Sequence, residues 1–326
     1  MAQLIKGHTP GSELVFRWQT TGKREWEKLY RFPEIGTGLL HFDFANPEQL
    51  GTGTGIFAFI NYPVVRSNRF SLNYRIGGGA GYVSKIFTRT ENYKNNATSA
   101  HLNILFNFLL EGKFRFSEKF YTTFGTGLTH FSNGAIKMPN LGINIPALYL
   151  GILWEVNRQP ESIKPDSLVP AINRFTGGRK EYWTVCMAGG VRDIYPSGGT
   201  RYKGFSLSGD YNFLIRSKRT VAGGGDIFYD EYISFFALRD TLMLNGNLLS
   251  PVRAGIHISH LSMLGRLQLG VMMGGYLVDE YRFDGFFYHR LIVRYRLTNH
   301  LLLNISVKTH WAKADYLEWG VGYQFD

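Results

Sequence analysis

Apolar and polar residues alternate along most of this chain, in short segments separated by Gly, Pro and Asn. In the segment 299–311, the residues of one parity are mostly apolar and those of the other parity are polar or charged. The first set is Leu303, Ile305, Val307, Thr309 and Trp311, and the second set is Asn304, Ser306, Lys308 and His310. Successive side chains of a β-strand point to opposite faces, so this pattern predicts a strand with one apolar face and one polar face.

The same reading applied along the chain predicts about fourteen strands. They are 34–45, 51–62, 68–83, 98–112, 118–132, 142–157, 180–193, 202–216, 218–229, 250–262, 264–276, 286–297, 299–311 and 314–325. The longest connection between them is expected at 158–180. No internal repeat of 20–50 residues, which would indicate a propeller, is evident.

The sequence predicts an all-β fold, a transmembrane antiparallel β-barrel of about 14 strands. Bacterial barrels of this class have even strand numbers, which gives a range of 12–16. Polar strand faces containing Lys and Glu suit a barrel interior, and apolar faces rich in aromatic residues at the segment ends suit a lipid-facing exterior. The chain contains no run of about 18 apolar residues, so no transmembrane helix is predicted. A large soluble β-sandwich or propeller is the alternative.

The predicted domain organisation is a periplasmic N-terminal segment at 1–30 and the barrel at 31–326. Within the first segment, Ser12–Gln19 is either a first short strand or part of the periplasmic region. Met1–Lys6 shows no basic region followed by an apolar core, so no signal peptide is predicted. If the protein is located in the bacterial outer membrane, we therefore expect this sequence to be the mature form with an added initiator methionine.

The formal net charge of the chain is +11, and its Lys and Arg residues are scattered over many segments. A scattered distribution argues against nucleic acid as a partner and favours outer-membrane lipids or lipopolysaccharide phosphates. The single cysteine, Cys186, excludes an intramolecular disulfide. The nine His residues show no metal-ligand spacing, and no cofactor or metal is predicted.

Candidate chemistry appears at the end of the predicted strand 118–132. His130 and Ser132 share a face with Phe124 and Leu128. A His within hydrogen-bond reach of a Ser is the minimum requirement for an activated serine nucleophile. Asn144, on the apolar face of the next antiparallel strand, is placed to reach His130. A base and a nucleophile on an apolar face suit a lipid substrate.

A His-x-Ser pair on a strand also occurs by chance, and this chain has a second one at His257 and Ser259. There the apolar neighbours Ile256 and Ile258 have the opposite parity. The second pair is therefore predicted to point into the barrel, as a solvated polar pair. Parity thus separates the two candidates.

The segment His130-Phe131-Ser132-Asn133, followed by Pro139-Asn140-Leu141-Gly142, resembles the active-site motif of the outer-membrane lipid A 3-O-deacylases, a family also labelled acyloxyacyl hydrolase. The resemblance implies a metal-independent serine esterase whose active site faces the membrane and which removes the acyl chain at the 3 position of lipid A. It implies that His130 is the base and Ser132 the nucleophile. Asn133 and the backbone N–H near Ala135 would form the oxyanion hole.

The chain departs from that family in two ways. Asn144 stands where the best-known members have the Glu of the catalytic triad, and the chain is about twice as long as their eight-stranded barrels require. The specific match covers 130–144, with a looser similarity over 30–155. We expect an outer-membrane esterase with His130, Ser132 and Asn144 as catalytic residues and lipid A or lipopolysaccharide as substrate. The alternative is a non-catalytic barrel, either a pore or a subunit of an envelope complex whose partner is unknown.

Overall fold

The computed structural model describes residues 4–156, 181–194, 198–215, 218–311 and 313–325. Within these ranges there are seventeen strands and two short helices. The connection predicted at 158–180 lies outside the described residues. The described chain divides into two units. The first runs to Asn133 and resumes at Pro139, and the second contains Gly134–Met138 together with the residues from 181 onward.

The first unit is a seven-stranded antiparallel sheet in which each strand pairs with its neighbours in the chain. Its strands are β1 (Gly11–Gln19), β2 (Glu34–Asp43), β3 (Thr52–Arg66), β4 (Phe70–Val83), β5 (Leu102–Arg115), β6 (Phe120–Ser132) and β7 (Ile143–Trp154). Helix α1 (Glu25–Leu29) connects β1 to β2. Of the two interpretations of Ser12–Gln19, the structure has the strand, because β1 pairs with β2 along its whole length. The assignment of 1–30 to the periplasm stays a prediction.

The second unit is a closed eight-stranded barrel with the neighbour order β10-β13-β14-β15-β16-β17-β8-β9. Its strands are β8 (Glu181–Arg192), β9 (Tyr202–Ile215), β10 (Arg219–Asp230), β13 (Val252–Leu264), β14 (Leu267–Val278), β15 (Phe287–Arg296), β16 (Leu301–His310) and β17 (Lys313–Phe325). Helix α2 (Glu231–Arg239) and the small hairpin of β11 (Met243–Leu244) and β12 (Asn247–Leu248) connect β10 to β13. Closure is made by β8, which pairs with both β9 and β17.

All fourteen predicted strands are present, as β2–β10 and β13–β17, and the predicted all-β antiparallel barrel class is confirmed. The outermost predicted residues 157, 180 and 216 lie outside the described residues. Strand β1 and the hairpin β11–β12 are additional. The strands are divided between a sheet of seven and a closed barrel of eight.

The two faces of the strands differ as the alternation predicts. In β16, Asn304, Ser306 and Lys308 are buried inside the barrel, whereas Leu303 and Ile305 are exposed on its outer face. The buried charges are paired within each unit, as in the contacts Lys113–Glu34 at 2.6 Å and Arg290–Glu318 at 2.9 Å. A charged interior with an apolar exterior is the arrangement of a transmembrane barrel. Among the helices of the described ranges, none has the length and hydropathy needed to cross a membrane.

Candidate active site

Strand β6 presents His130 and Ser132 on its outer face because the residues that alternate with them are buried on the opposite face. Thr129 and Phe131 are buried, and Phe131 packs in an apolar cluster with residues such as Leu105. Phe124 and Leu128 are exposed on the same side as His130. A one-residue slip of β6 would turn every side chain to the opposite face, so burial of Phe131 fixes the outward position of the His–Ser pair.

The imidazole of His130 contacts the side chain of Asn144 on the next strand. The two residues lie opposite each other in the β6–β7 register, and His130 Nδ1 is 2.7 Å from Asn144 Oδ1. An amide oxygen is an acceptor only, so this contact places the proton on Nδ1. The lone pair of Nε2 is then available to accept a proton, as a base that activates a serine requires.

Asn140 connects the nucleophile candidate to the turn that follows it. Its Nδ2 donates to Ser132 Oγ at 2.9 Å, and its Oδ1 accepts the backbone N–H of Asn133 at 3.1 Å. The backbone N–H of Asn133, a candidate oxyanion donor, is thus bound to Asn140 in this structure. No role for Asn140 is predicted from the sequence, although its place in the Pro-Asn-x-Gly segment is the signal that points to it.

The turn before β7 brings its backbone close to the imidazole. Gly142 has a φ of 76°, and a Cβ at this position would lie 2.5 Å from His130 Cε1. Only glycine combines this conformation with such a close approach at low cost. The turn is held by the loop between β4 and β5, where Asn96 and Ala97 accept the N–H groups of Leu141 and Gly142 at 3.2 and 2.9 Å.

The segment after Asn133 has an unusual backbone. Gly134 and Ala135 both have positive φ, at 63° and 62°, and Ala135 is buried. A non-glycine residue in this region stores strain of order 1–3 kcal/mol and persists only where its surroundings hold it. Within the second unit, Asp193 does so. Its N–H donates to the Ala135 carbonyl at 2.9 Å, and its carboxylate accepts the N–H of Met138 at 3.0 Å.

The structure therefore brings His130, Ser132 and Asn144 to one face, with Asn133 joined to them through Asn140. The predicted catalytic and oxyanion roles of these residues, and that of Ala135, stay predictions.

The second His-x-Ser pair lies inside the barrel of the second unit, as parity predicts, but it is buried and not solvated, because buried carboxylates bind the imidazole. His257 and Ser259 are buried, and the His257 ring lies between two carboxylates, at 2.7 Å from Asp210 and 2.6 Å from Asp226. Both of its ring nitrogens are therefore engaged, which leaves no free base for Ser259.

Potential metal ligands come together at one place in the described ranges. Asp284, His310 and Asp315 offer ligand atoms that lie within 4.8 Å of one another. The carboxylates, however, are already paired with guanidinium groups, at 3.1 Å between Arg253 and Asp284 and 2.9 Å between Arg192 and Asp315. These positive charges oppose a further cation, so the geometry favours an ion-pair network.

Two family models together cover most of the chain. The model of lipid A 3-O-deacylase (PagL) matches residues 12–152, and that of the acyloxyacyl hydrolase C-terminal domain matches residues 181–326. The two matched regions correspond to the seven-stranded sheet and to the closed barrel. No curated protein sequence matches the chain.

The chain is also similar to several solved structures, of which three follow. The FrpB iron transporter from Neisseria meningitidis (F3-3 variant) is 10% identical, with 97% of this chain and 63% of that chain covered and a TM-score of 0.20. The pyoverdine outer membrane receptor FpvA from Pseudomonas aeruginosa PAO1 is 9% identical, with 98% and 61% covered and a TM-score of 0.24. OccK11 (OpdR) from Pseudomonas aeruginosa is 10% identical, with 97% and 94% covered and a TM-score of 0.22. The chain thus spans less than two thirds of FrpB and FpvA, and the family models alone assign it.

The matches across both units agree with the apolar exterior of the barrel and with the His-x-Ser-Asn segment on β6. The chain is an outer-membrane β-barrel protein that belongs to the lipid A 3-O-deacylase family.

Proposed function

We propose that this protein is a serine esterase that removes an ester-linked acyl chain from lipid A or a related glycolipid. The observation that carries the proposal is the hydrogen bond between His130 Nδ1 and Asn144 Oδ1, at 2.7 Å, on the face that also presents Ser132. This contact leaves Nε2 of His130 as a base directed away from Asn144, which is the protonation state that a serine nucleophile requires.

In the proposed reaction, Ser132 Oγ attacks the carbonyl carbon of the ester and His130 Nε2 takes the hydroxyl proton. The resulting oxyanion would accept hydrogen bonds from backbone N–H groups at Asn133 and Ala135. Release of the Asn133 N–H from Asn140 would free that donor. His130 then gives its proton to the departing sugar oxygen, leaving an acyl-serine. Water attacks the acyl-serine with His130 again as base, which releases the fatty acid and restores Ser132.

The surroundings of the pair suit a substrate that stays in the membrane. Phe124 and Leu128 are exposed on the same face of β6, and Leu148 and Leu150 are exposed on β7. Apolar side chains on the outer face contact lipid in a transmembrane barrel. An ester linkage at the base of an acyl chain would therefore meet Ser132 without the lipid leaving the bilayer.

Mass spectrometry of lipid A tests the proposal. Lipid A would be extracted from cells that express the wild type, Ser132→Ala or the control Ser259→Ala. Loss of one hydroxyacyl group with the wild type and with Ser259→Ala, but not with Ser132→Ala, is the expected result. Identical spectra from all three strains would reject the esterase.

A second candidate function is a non-catalytic barrel, and Asn144 is the observation that favours it, because a neutral amide cannot balance the charge of an imidazolium. Its pore form is opposed by the interior of the second unit. There the charged side chains are buried and paired with one another, as Arg290 is with Asp226 at 2.7 Å and with Glu318 at 2.9 Å. Purified protein in planar bilayers is expected to show no stable conductance, and steady open channels would favour the pore.

A further inference from the structure

A groove crosses the outer face of the second unit where three neighbouring strands meet. In the register of β17, β8 and β9, Trp319 lies opposite Gly189, and Gly189 lies opposite Phe205. Trp319 and Phe205 are both exposed. Because Gly189 has no side chain, a depression forms between the two aromatic rings, and a Cβ there would lie only 3.0 Å from the Phe205 ring.

The groove continues into the next row of the sheet, where Val191 lies opposite Lys203. Leu317 also lines it, and this residue is only 7% exposed, whereas Trp319, Val321 and Tyr323 of the same parity further along β17 are exposed. Ile136, from the segment Gly134–Met138, completes the lining. The groove has a volume of about 370 Å³, within the range of about 300–1,000 Å³ that is typical of small-molecule sites.

We propose that this groove binds one fatty acyl chain of a lipid A substrate, with Lys203 contacting a phosphate of the same molecule. The inference deepens the proposed function and rests on it, since it assigns a second contact to the same substrate. The lining is apolar except for Lys203, which suits a hydrocarbon chain that ends near an anionic headgroup.

The charge at the end of the groove supports an anionic occupant. Lys203 is exposed, and its Nζ makes no ion pair with any residue in the described ranges. The one acid that binds this residue, Glu231, accepts its backbone N–H at 2.7 Å. Lipid A carries phosphates, whereas a zwitterionic lipid offers no net charge to an ammonium group.

The chain itself links the groove to the proposed nucleophile. Ile136 is the fourth residue after Ser132 in the chain. Asp193 fixes this segment in the second unit through its contacts with Ala135 and Met138. The segment that contributes Ile136 to the groove therefore begins directly after Asn133 in the sequence, and Asp193 holds it within the second unit.

Lipid binding to two matched pairs of variants tests the inference, all in a Ser132→Ala background so that nothing is hydrolysed. Val191→Phe fills the groove, and Val185→Phe adds the same ring on the same outward face of β8, away from it. Lys203→Gln removes the charge at the groove, and Lys313→Gln removes an exposed charge at the same end of the barrel. Native mass spectrometry of the full chain in micelles would give the Kd for bis-phosphorylated lipid A, with the heat-dependent gel shift of each variant checking its fold.

Val191→Phe is expected to raise the Kd at least about tenfold relative to Val185→Phe, because one methylene of lost room already costs about 10- to 200-fold in a fitted pocket. Lys203→Gln is expected to raise it about fivefold for bis-phosphorylated lipid A and not for dephosphorylated lipid A. Equal Kd values within both pairs would show that lipid A binds only non-specifically around the barrel, and this result would overturn the inference.

Hydrolysis by the protein with Ser132 intact separates the two proposals. Binding that depends on Val191 without hydrolysis would leave the groove standing and reject the esterase. Hydrolysis with no effect of Val191→Phe on binding would support the esterase and reject the groove as a binding site.

Discussion

His130 and Asn144 face each other across the β6–β7 pair, with Nδ1 and Oδ1 2.7 Å apart. The pairing register determines this contact, since the two residues are direct partners on adjacent strands. The neutral amide holds the imidazole in one tautomer but adds no negative charge beside it. We therefore expect the charge of the side chain at position 144 to change kcat.

Asn144→Glu is expected to raise kcat for lipid A deacylation about tenfold. A hydrogen bond to a charged group contributes about 1.5–3 kcal/mol against about 0.5–1.5 for a neutral one, and 1.4 kcal/mol corresponds to a factor of ten in rate. Initial rates on purified lipid A would measure the change.

Asn144→Ala is the matched control, and it should lower kcat because the imidazole loses its orienting acceptor. If the Glu and Ala variants both kept the wild-type kcat, position 144 would have no part in the reaction.

Asn140 is predicted to position Ser132. Asn140→Ala should lower kcat about 10²-fold with little change in KM, since it removes the donor that holds Ser132 Oγ in place. Asn140→Asp should be slower still, because a carboxylate would stand close to where the oxyanion forms. Leu141→Ala, at an exposed neighbour, is the control. If Asn140→Ala were slower than Asn140→Asp, side-chain size and not charge would determine the rate, and this role would be contradicted.

Gly142→Ala should reduce activity at least about 10²-fold while the protein stays folded. The added methyl group would meet His130 Cε1 at 2.5 Å, and φ at this position is 76°, so the imidazole must move. In Gly223→Ala, by contrast, the new methyl group meets nothing within 4 Å. Turnover is compared with the heat-dependent gel shift, and full activity of Gly142→Ala would show that the imidazole position is not critical.

Period-2 alternation was enough to predict most of the fold and the exposed side of the candidate site. The strand face of each residue is a local property, so Phe131 inside and Ser132 outside follow from the sequence, as does the inward position of His257. The same logic placed Asn144 opposite His130, because an antiparallel hairpin with a known turn fixes which residues become partners.

Features that depend on distant pairing or on backbone conformation were not predictable in this way. Closure of the second unit needs β17 to pair with β8, and alternation within either strand does not encode that choice. The left-handed Ala135 and its contact with Asp193 depend on a turn between strands. Leu317 is buried although Trp319 and Val321, of the same parity in β17, are exposed, because the groove, a property of three strands together, encloses it.

Arg17 lies on β1, within residues 1–30. From the sequence, this stretch is predicted to be a periplasmic segment separate from the barrel. Both guanidinium nitrogens of Arg17 donate to the Glu111 carboxylate, at 2.5 and 2.6 Å, and the two side chains are 8% and 1% exposed. Removing one partner of a buried pair leaves the other charge uncompensated, which costs about 3–5 kcal/mol.

Arg17→Met and Glu111→Leu should each lower the free energy of unfolding by about that amount, and the double variant should lower it by much less than the sum. Urea unfolding of the protein in micelles would measure it. The exposed pair Lys6–Glu48, at 3.3 Å, is the control, and Lys6→Met should change the free energy by less than about 1 kcal/mol. Additive losses from Arg17→Met and Glu111→Leu would mean that β1 does not share its stability with β5, and would return residues 11–19 to a separate N-terminal segment.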